Sequence, residues 1–229
     1  MKILYSNEEY VSELLKIYNN YVSYYAFGAF GAPATEKNKI RYKVPEAPDV
    51  SFLFDCSGFA YRALPWGWCG DRRRVYGGAD YPKEGDDLYP LVTGDICSIC
   101  TYVSSDFDEI LPGEVLYMRG HVGIYIGDGK AIECTSKWDN CVQITQVKNV
   151  KKSPVMKKSR TWLRHGRLPF IDYGIEALFE PAYTIAKIGE GLIRISRRTG
   201  VSLEELKRLN PSIKGPAYLV RIGQKVRIR

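Results

Sequence analysis

The sequence contains no run approaching the roughly 20 consecutive apolar residues that a bilayer-spanning helix needs, because Lys, Arg, Asp or Glu interrupts every apolar stretch much sooner. A chain held in a membrane by helices is thereby excluded. The first 25 residues, MKILYSNEEYVSELLKIYNNYVSYY, also lack the apolar centre of a secretory leader, since Glu8, Glu9, Glu13 and Lys16 fall where that centre would lie. Synthesis in the cytoplasm without a signal peptide is the expectation. Histidine is scarce, and His121 and His165 are the whole supply of imidazole in 229 residues. Cys97-Ser-Ile-Cys100 has the spacing of half a zinc site, but neither a second such pair nor an HxxxH follows. No metal and no other cofactor is expected.

What is present, 45% hydrophobic and 26% charged residues, suits one or two globular domains with a real core. Charge is divided unevenly. Residues 151–229 hold 18 Lys and Arg against 6 Asp and Glu, whereas residues 1–150 hold 15 against 20. A basic C-terminal part suits an anionic partner such as nucleic acid, a membrane surface or a cell wall, or else is a solvated face. Near the start, Ser6 with Glu9 three residues later reads as a capping box, and Tyr10, Leu14, Tyr18, Tyr21 and Tyr25 recur at helical spacing.

The stretch Gly174-Ile-Glu-Ala-Leu-Phe-Glu-Pro181 separates a long mixed region from a short one. In the latter, a strand over 183–188 leads through Gly189-Glu190-Gly191 into a helix stopped by Gly200. A second capping box, Ser202 with Glu205, opens another helix that Asn210-Pro211 ends, and a strand region interrupted by Gly223 follows. YTIAKIGEGL, VSLEELKRLNP and the closing IGQKVRI resemble a LysM module nearly end to end, a βααβ fold that binds N-acetylglucosamine polymers. The resemblance implies glycan contacts from Gly189, Glu190, Gly191 and Leu192 and from Asn210, Pro211, Ser212 and Ile213. Glu190-Gly191 departs from the family's usual Asp-Thr, and the same residues also serve simply as turn formers. Eleven basic residues against three acidic ones from 182 onward would suit a basic helix-turn-helix as well, but the paired flanking strands and the Asn-Pro loop oppose nucleic acid as the partner.

In the long region, Phe54-Asp55-Cys56-Ser57-Gly58-Phe59 follows an apolar strand-like Ser51-Phe-Leu-Phe and reads as a helix start, with Phe59, Ala60 and Ala63 facing inward and Pro65 ending it. A cysteine in that first turn sits over the positive end of the helix dipole, which favours the thiolate nucleophile. A thiol nucleophile needs a base. His121 opens His-Val-Gly-Ile-Tyr-Ile-Gly, an alternating strand pattern, whereas His165 lies among charged residues and reads as surface or late-strand structure. D-C-S-G-F and G-H-V-G-I-Y-I-G, 65 residues apart, resemble the nucleophile and histidine motifs of the NlpC-type, papain-like cell-wall cysteine peptidases. Tyr25-Ala-Phe-Gly28 is similar to that family's Tyr-x-Trp-Gly segment, although Cys56 follows Tyr25 by 31 positions.

The resemblance implies an α+β catalytic domain over 1–173, with helices packed on an antiparallel half-barrel sheet, a linker over 174–182 and the LysM module over 183–229. The third catalytic member lies on the family's next strand, where this chain has Glu133. A two-residue Asp128-Gly129 turn would turn Glu133 away from His121. A three-residue loop, Gly127-Asp128-Gly129, with a bulge sets Glu133 opposite Gly123, on the histidine's face. The expectation is thus a Cys56, His121, Glu133 triad, with backbone donors of Cys56 and Ser57 for the oxyanion and Tyr25, Asp55 and Trp66 in the substrate groove. Trp66 and Trp68 suit either groove wall or core. The cysteines are expected to be mostly free, a Cys134–Cys141 bridge being the one exception considered.

The implied activity is hydrolysis of the peptidoglycan stem peptide, at the bond from D-glutamate to the diamino acid, by an enzyme resembling a bacteriophage lysin that reaches the wall after release or lysis. An amidase cutting between muramic acid and L-alanine, and a non-catalytic wall-binding protein, are the alternatives.

Overall fold

The computed structural model describes residues 1–92, 94–174, 183–215 and 218–228. All of the 174–182 linker except Gly174 lies outside the described residues. The chain divides into two compact units, Met1–Tyr173 and Gly174–Arg229. No helix among the described residues is long and apolar enough to cross a membrane.

The first unit opens with β1 (Tyr5–Ser6) and α1 (Asn7–Asn20). Ser6 Oγ accepts the Glu9 amide (3.2 Å) while Glu9 accepts the Ser6 amide (2.8 Å), the reciprocal cap that the spacing announces. Tyr10, Leu14 and Ile17 bury the inward stripe of the helix, while Tyr18 and Tyr21 stay exposed. Next come β2 (Ser23–Tyr25), β3 (Phe30–Pro33), α2 (Glu36–Tyr42) and β4 (Phe52–Phe54). β2 pairs parallel with β4, Tyr25 opposite Phe54. The 30 residues between Tyr25 and Cys56 loop out through β3 and α2 and return, so Tyr25 ends beside Asp55 and Cys56.

Beyond three short helical segments (Gly58–Arg62, Tyr89–Val92 and Ile96–Ser98), the unit continues with β5 (Tyr102–Ser104), β6 (Val115–Met118), β7 (His121–Gly127), β8 (Lys130–Thr135), β9 (Cys141–Val147), β10 (Ser159–Arg160), β11 (Arg164–Arg167) and β12 (Ile171–Asp172). Seven of these strands form one curled sheet in the order β10-β9-β8-β7-β6-β11-β5, a mixed α/β arrangement with the sheet as a half-barrel. It is antiparallel except at one edge, where β10 runs parallel to β9. Both faces are covered. Val122 and Ile124 are buried on one side, and on the other Leu116, Tyr125, Ala131 and Val147 pack around Trp162 and Phe107.

The β7–β8 hairpin corrects the expected loop. Gly127 pairs with Lys130 across a two-residue turn in which Asp128 (φ 51°) and Gly129 (φ 67°) are both left-handed, and the extra residue lies earlier, between Tyr125 and Gly127. Because the bulge absorbs one residue, Ile124 faces Ile132, and the register carries Glu133 to Gly123. A Cβ at Gly123 would meet Glu133 Cβ at 3.2 Å and Trp162 at 3.1 Å, so glycine there makes the room.

In the second unit, β13 (Tyr183–Ile185) pairs antiparallel with β14 (Lys225–Arg227), and α3 (Leu192–Thr199) and α4 (Leu203–Leu209) lie between them in sequence. Gly200, at φ 75°, stops α3, and Ser202 Oγ caps α4 by accepting the Glu205 amide. Both strands are shorter than the sequence pattern suggests. Ala186 instead closes a turn with Gln224 and Gly223 through backbone bonds of 3.0 and 2.9 Å. Ala186, Leu192, Ile195, Leu206, Ile213 and Val226 form the core.

Candidate functional site

Cys56 follows β4 directly, at the start of a helix that changes character within a turn. Phe59 donates to the Asp55 carbonyl in the α manner, but Ala63 bonds back to Gly58 in the wider π manner. Phe59, Ala60 and Ala63 are fully buried, as their spacing requires. Gly58 is needed because a Cβ there would stand 2.0 Å from the Ala29 carbonyl oxygen. Asp55 caps the turn: its Oδ1 accepts the Gly58 amide (2.5 Å) and the Ser57 hydroxyl (2.8 Å), and its Oδ2 accepts the Gly28 amide (2.8 Å). Asp55 is buried with both oxygens engaged, so it ties the Tyr25–Gly28 segment to the cysteine turn and is not an open groove residue.

The sulfur of Cys56 is half-buried and free, and the backbone amides of Val122, Ser57 and Cys56 point to it. Burial, helped by the Asp55 charge, outweighs those amides and pushes the thiol above its ordinary value. Desolvation thus opposes the dipole-stabilised thiolate expected from the sequence. The helix beneath the sulfur is too short and irregular to offset desolvation. Cys56 should therefore be alkylated by iodoacetamide at pH 7 more slowly than free cysteine, with a rate still rising above pH about 8.5. Peptide mapping by mass spectrometry would follow the site, and a plateau below pH 7 would contradict the assignment. Tyr25 and Tyr61 both stand close to this sulfur, and burial followed by nearby charge takes each phenol to about 12, with Arg62 opposing the shift at Tyr61. Tyr61 was not singled out from the sequence.

His121 begins β7. Its Nε2–H donates to Glu133 Oε2 (2.6 Å), and its ring stacks on Trp162 with centroids 5.7 Å apart at 18°. Glu133 is fully buried. Its Oε1 accepts the Thr145 hydroxyl (2.6 Å), and Arg160 Nε–H lies 2.9 and 2.7 Å from the two oxygens. Burial opposes the charged carboxylate, but the bonds from His121 and Thr145 and the charges of His121 and Arg160 prevail, holding its pKa below the usual value. Arg160 also donates to Thr135 Oγ1 (3.1 Å) and lies over the Trp138 ring (4.8 Å). The structure thus joins His121 to Glu133 directly. Cys56 meets the same strand through the Val122 amide, and among the described residues no hydrogen bond links its sulfur to the imidazole.

His165 provides a control within the same sheet. It lies on β11, as late-strand structure, but is buried rather than on the surface. It contacts Glu114 through Nδ1 and the Asp106 carbonyl through Nε2 (2.6 Å), and Arg167 donates to Glu114 (2.9 Å). The two clusters share a Glu–His–Arg composition, but in this one both ring nitrogens are engaged. His121 keeps Nδ1 without a hydrogen-bond partner among the described residues, so it alone has a nitrogen free to exchange a proton.

Arg160, Thr145 and Trp162 escaped the sequence reading. The signal was weak: an arginine in a basic stretch 27 residues after Glu133 looks like solvated charge until β10 pairs with β9. Trp68 belongs to the core, its Nε1 donating to the Gly31 carbonyl (3.0 Å). Trp66 is mostly buried but lines an open cavity of about 640 Å³ with Tyr81, Asp80 and Asp86. All six cysteines are free; Cys134 and Cys141 donate instead to the Phe54 and Val142 carbonyls.

In the second unit several expected glycan contacts are engaged elsewhere. Asn210 is buried and clamps α4 to β14 through the Leu206 and Arg227 carbonyls and the Arg227 amide. Leu192 and Ile213 are core residues. Glu190 accepts the Lys187 amide (2.9 Å) and two bonds from Arg198 (2.8 and 2.9 Å), which lower its pKa to about 2. Gly191, also buried, is the N-cap residue of α3. Gly189, Pro211 and Ser212 remain exposed. Ser212 and Ile213 edge an open groove of about 690 Å³, completed by Lys214, Leu219 and residues 221–224.

Residues 184–229 match the model of the LysM domain family. No curated protein matches the chain. Among solved structures, the chain is similar to NlpC1 from Trichomonas vaginalis at 18% identity and a TM-score of 0.37, covering 70% of this chain and 43% of that one. NlpC2 from Trichomonas vaginalis is similar at 16% identity and a TM-score of 0.32, with 70% and 45% covered. The chain spans less than half the length of either.

Proposed function

We propose that this chain is a peptidoglycan hydrolase: a thiol peptidase unit that cuts the stem peptide, carried to its polymer by the LysM domain. The observation that carries the reading is the His121–Glu133 bond, buried, held by Arg160 and Thr145, and placed beside the Cys56 turn. Its resting form holds Cys56 as the thiol. Substrate binding closes the remaining gap, since catalytic hydrogen bonds are often long before the substrate arrives. His121 Nδ1 then takes the Cys56 proton as the sulfur attacks the carbonyl carbon, and Glu133 stabilises the imidazolium through Nε2. The backbone N–H groups of Cys56 and Ser57 face the oxyanion. The imidazolium returns the proton to the leaving amine, and water, deprotonated by the same ring, releases the acyl group and restores the thiol. Cleavage is proposed at the bond from D-glutamate to the diamino acid.

The LysM groove presents Leu219 and Ile222, both largely exposed, beside Lys214, Arg221 and Gln224. Apolar rims with polar hydrogen-bonding groups suit the flat faces and acetamido groups of an N-acetylglucosamine polymer. Tethering raises the local concentration of the peptidase unit, and the basic C-terminal part favours an anionic wall. Digestion of purified peptidoglycan of known stem chemistry, followed by mass spectrometry, tests the reading. Fragments with a new D-glutamyl carboxyl and a new diamino-acid amine are expected. Fragments ending at free L-alanine amines would replace the endopeptidase by an amidase, and no release would remove the hydrolytic reading altogether.

A further inference from the structure

The connection between β8 and β9, residues 136–140, carries two non-glycine residues in the left-handed region, Trp138 (φ 67°) and Asn140 (φ 55°). Asn tolerates that region; a bulky indole adopts it rarely. The loop is held in this form from several sides. The Lys137 amide donates to Thr135 Oγ1 (3.2 Å), Gln143 Nε2 donates to the carbonyls of Lys137 (2.9 Å) and Cys141 (3.3 Å), and the Tyr25 amide donates to the Asn140 carbonyl (2.9 Å). The backbone that carries Trp138 is therefore fixed, and the residue remains 36% exposed.

Two cations lie against that ring, Lys137 Nζ at 4.7 Å and Arg160 at 4.8 Å from its centroid. Their situations differ. Arg160 is occupied by Glu133 and Thr135, whereas Lys137 is exposed and makes no ion pair among the described residues. The neighbouring acid, Asp139, pairs with Lys158. The loop also flanks the reacting groups: through Asn140 it touches Tyr25, which stands by the Cys56 sulfur, and through Trp138 it touches Arg160, which leads by Glu133 to His121.

An apolar plate beside an unpaired ammonium matches a residue whose short aliphatic stem ends in a free carboxylate. A carboxamide of the same size would keep the stacking and lose the charge pair. We propose that Trp138 and Lys137 form a specificity subsite for a free carboxylate of the peptide substrate, an inference that rests on the hydrolase reading above.

The test uses the full chain and two synthetic stem-type peptides identical except that one side-chain carboxylate is a carboxamide in the second. The wild type should favour the carboxylate by about 10-fold in kcat/KM, the ratio that a single well-placed charge contact of about 1.4 kcal/mol provides. Lys137→Gln should bring the ratio within about twofold, because the ammonium is the group that distinguishes carboxylate from carboxamide. Trp138→Ala should raise KM for both peptides with kcat held. Equal rates for the two peptides in the wild type, or a Lys137→Gln variant that keeps the preference, overturns the subsite. If the wild type cleaves neither peptide faster than Cys56→Ala does, the hydrolase reading has failed instead. Calorimetric titration of the same peptides then decides the subsite. Roughly tenfold weaker binding of the carboxamide, levelled by Lys137→Gln, upholds it, and equal affinities in the wild type overturn it.

Discussion

Cys56→Ala should reduce release of soluble fragments from purified peptidoglycan by about 10,000-fold or more, because removing the nucleophile of a coupled nucleophile–base unit loses nearly all the chemistry of that unit. The fold should survive. Cys56 is half-buried at a turn held by Asp55 and the Ala29 carbonyl, and its side chain contributes no bridge. Losing one small sulfur there costs about 1 kcal/mol, a shift of a few degrees in the melting temperature at this size. Circular dichroism melts and fragment release measured on the same preparation separate the two effects. Residual release within tenfold of wild type would mean that the bond is cut elsewhere, and the arrangement around His121 would need another explanation.

Glu133→Ala has the second largest expected effect, and it strikes stability and activity together. The carboxylate is fully buried between Arg160 and His121, so its removal leaves a largely buried guanidinium without its counter-charge, at a cost of about 3–5 kcal/mol. Against a total stability of roughly 5–15 kcal/mol that is a large fraction, equivalent to about 10 °C or more in melting temperature. Activity should fall by about 1,000-fold, since the imidazole loses both its orienter and the charge that stabilises its protonated form. Activity within twofold of wild type would remove Glu133 from the mechanism. Glu133→Leu combined with Arg160→Met separates the two roles: melting should recover toward wild type, because an apolar pair can replace a buried ion pair, while activity stays low.

The pH dependence has a definite sign. The Glu133 pKa is lower folded than unfolded, so its contribution is complete above the unfolded value of about 4.3 and is lost as pH falls through the folded value. The gap in melting temperature between wild type and Glu133→Gln should therefore narrow in acid. His165 has the opposite sign. Burial opposes its charging, but its bonds to Glu114 and the Asp106 carbonyl raise its pKa, so its contribution is complete below about 6.5 and is lost as pH rises through the folded value.

Arg160 shows why the site was only partly legible. Cys56, His121 and Glu133 each belong to a local string whose meaning is readable at once: a strand running into a capped turn, an alternating strand, and a hairpin whose register a bulge controls. Even there the sequence led to the right partner of Gly123 through the wrong turn, because a bulge before Gly127 and a three-residue loop have the same effect on register. Arg160 reaches Glu133 only through a two-residue parallel edge strand, for which no periodicity exists to be read.

Taken alone, the amino-acid order determined what short-range chemistry controls: the reciprocal cap at Ser6, the one-way side-chain cap at Ser202, the glycine stop at Gly200, the covering of Leu192, Ile195 and Leu206, and the βααβ pattern of the second unit. Tertiary structure decided whatever depends on desolvation and on groups far apart in the chain. It turned Asp55, Glu190 and Asn210 inward to satisfy backbone and arginine donors, raised the Cys56 thiol where a local dipole argument lowers it, and gave Glu133 the guanidinium that keeps it ionised. A cap is settled within four residues of chain, but the cost of burying a charge is set by every neighbour the fold brings to it.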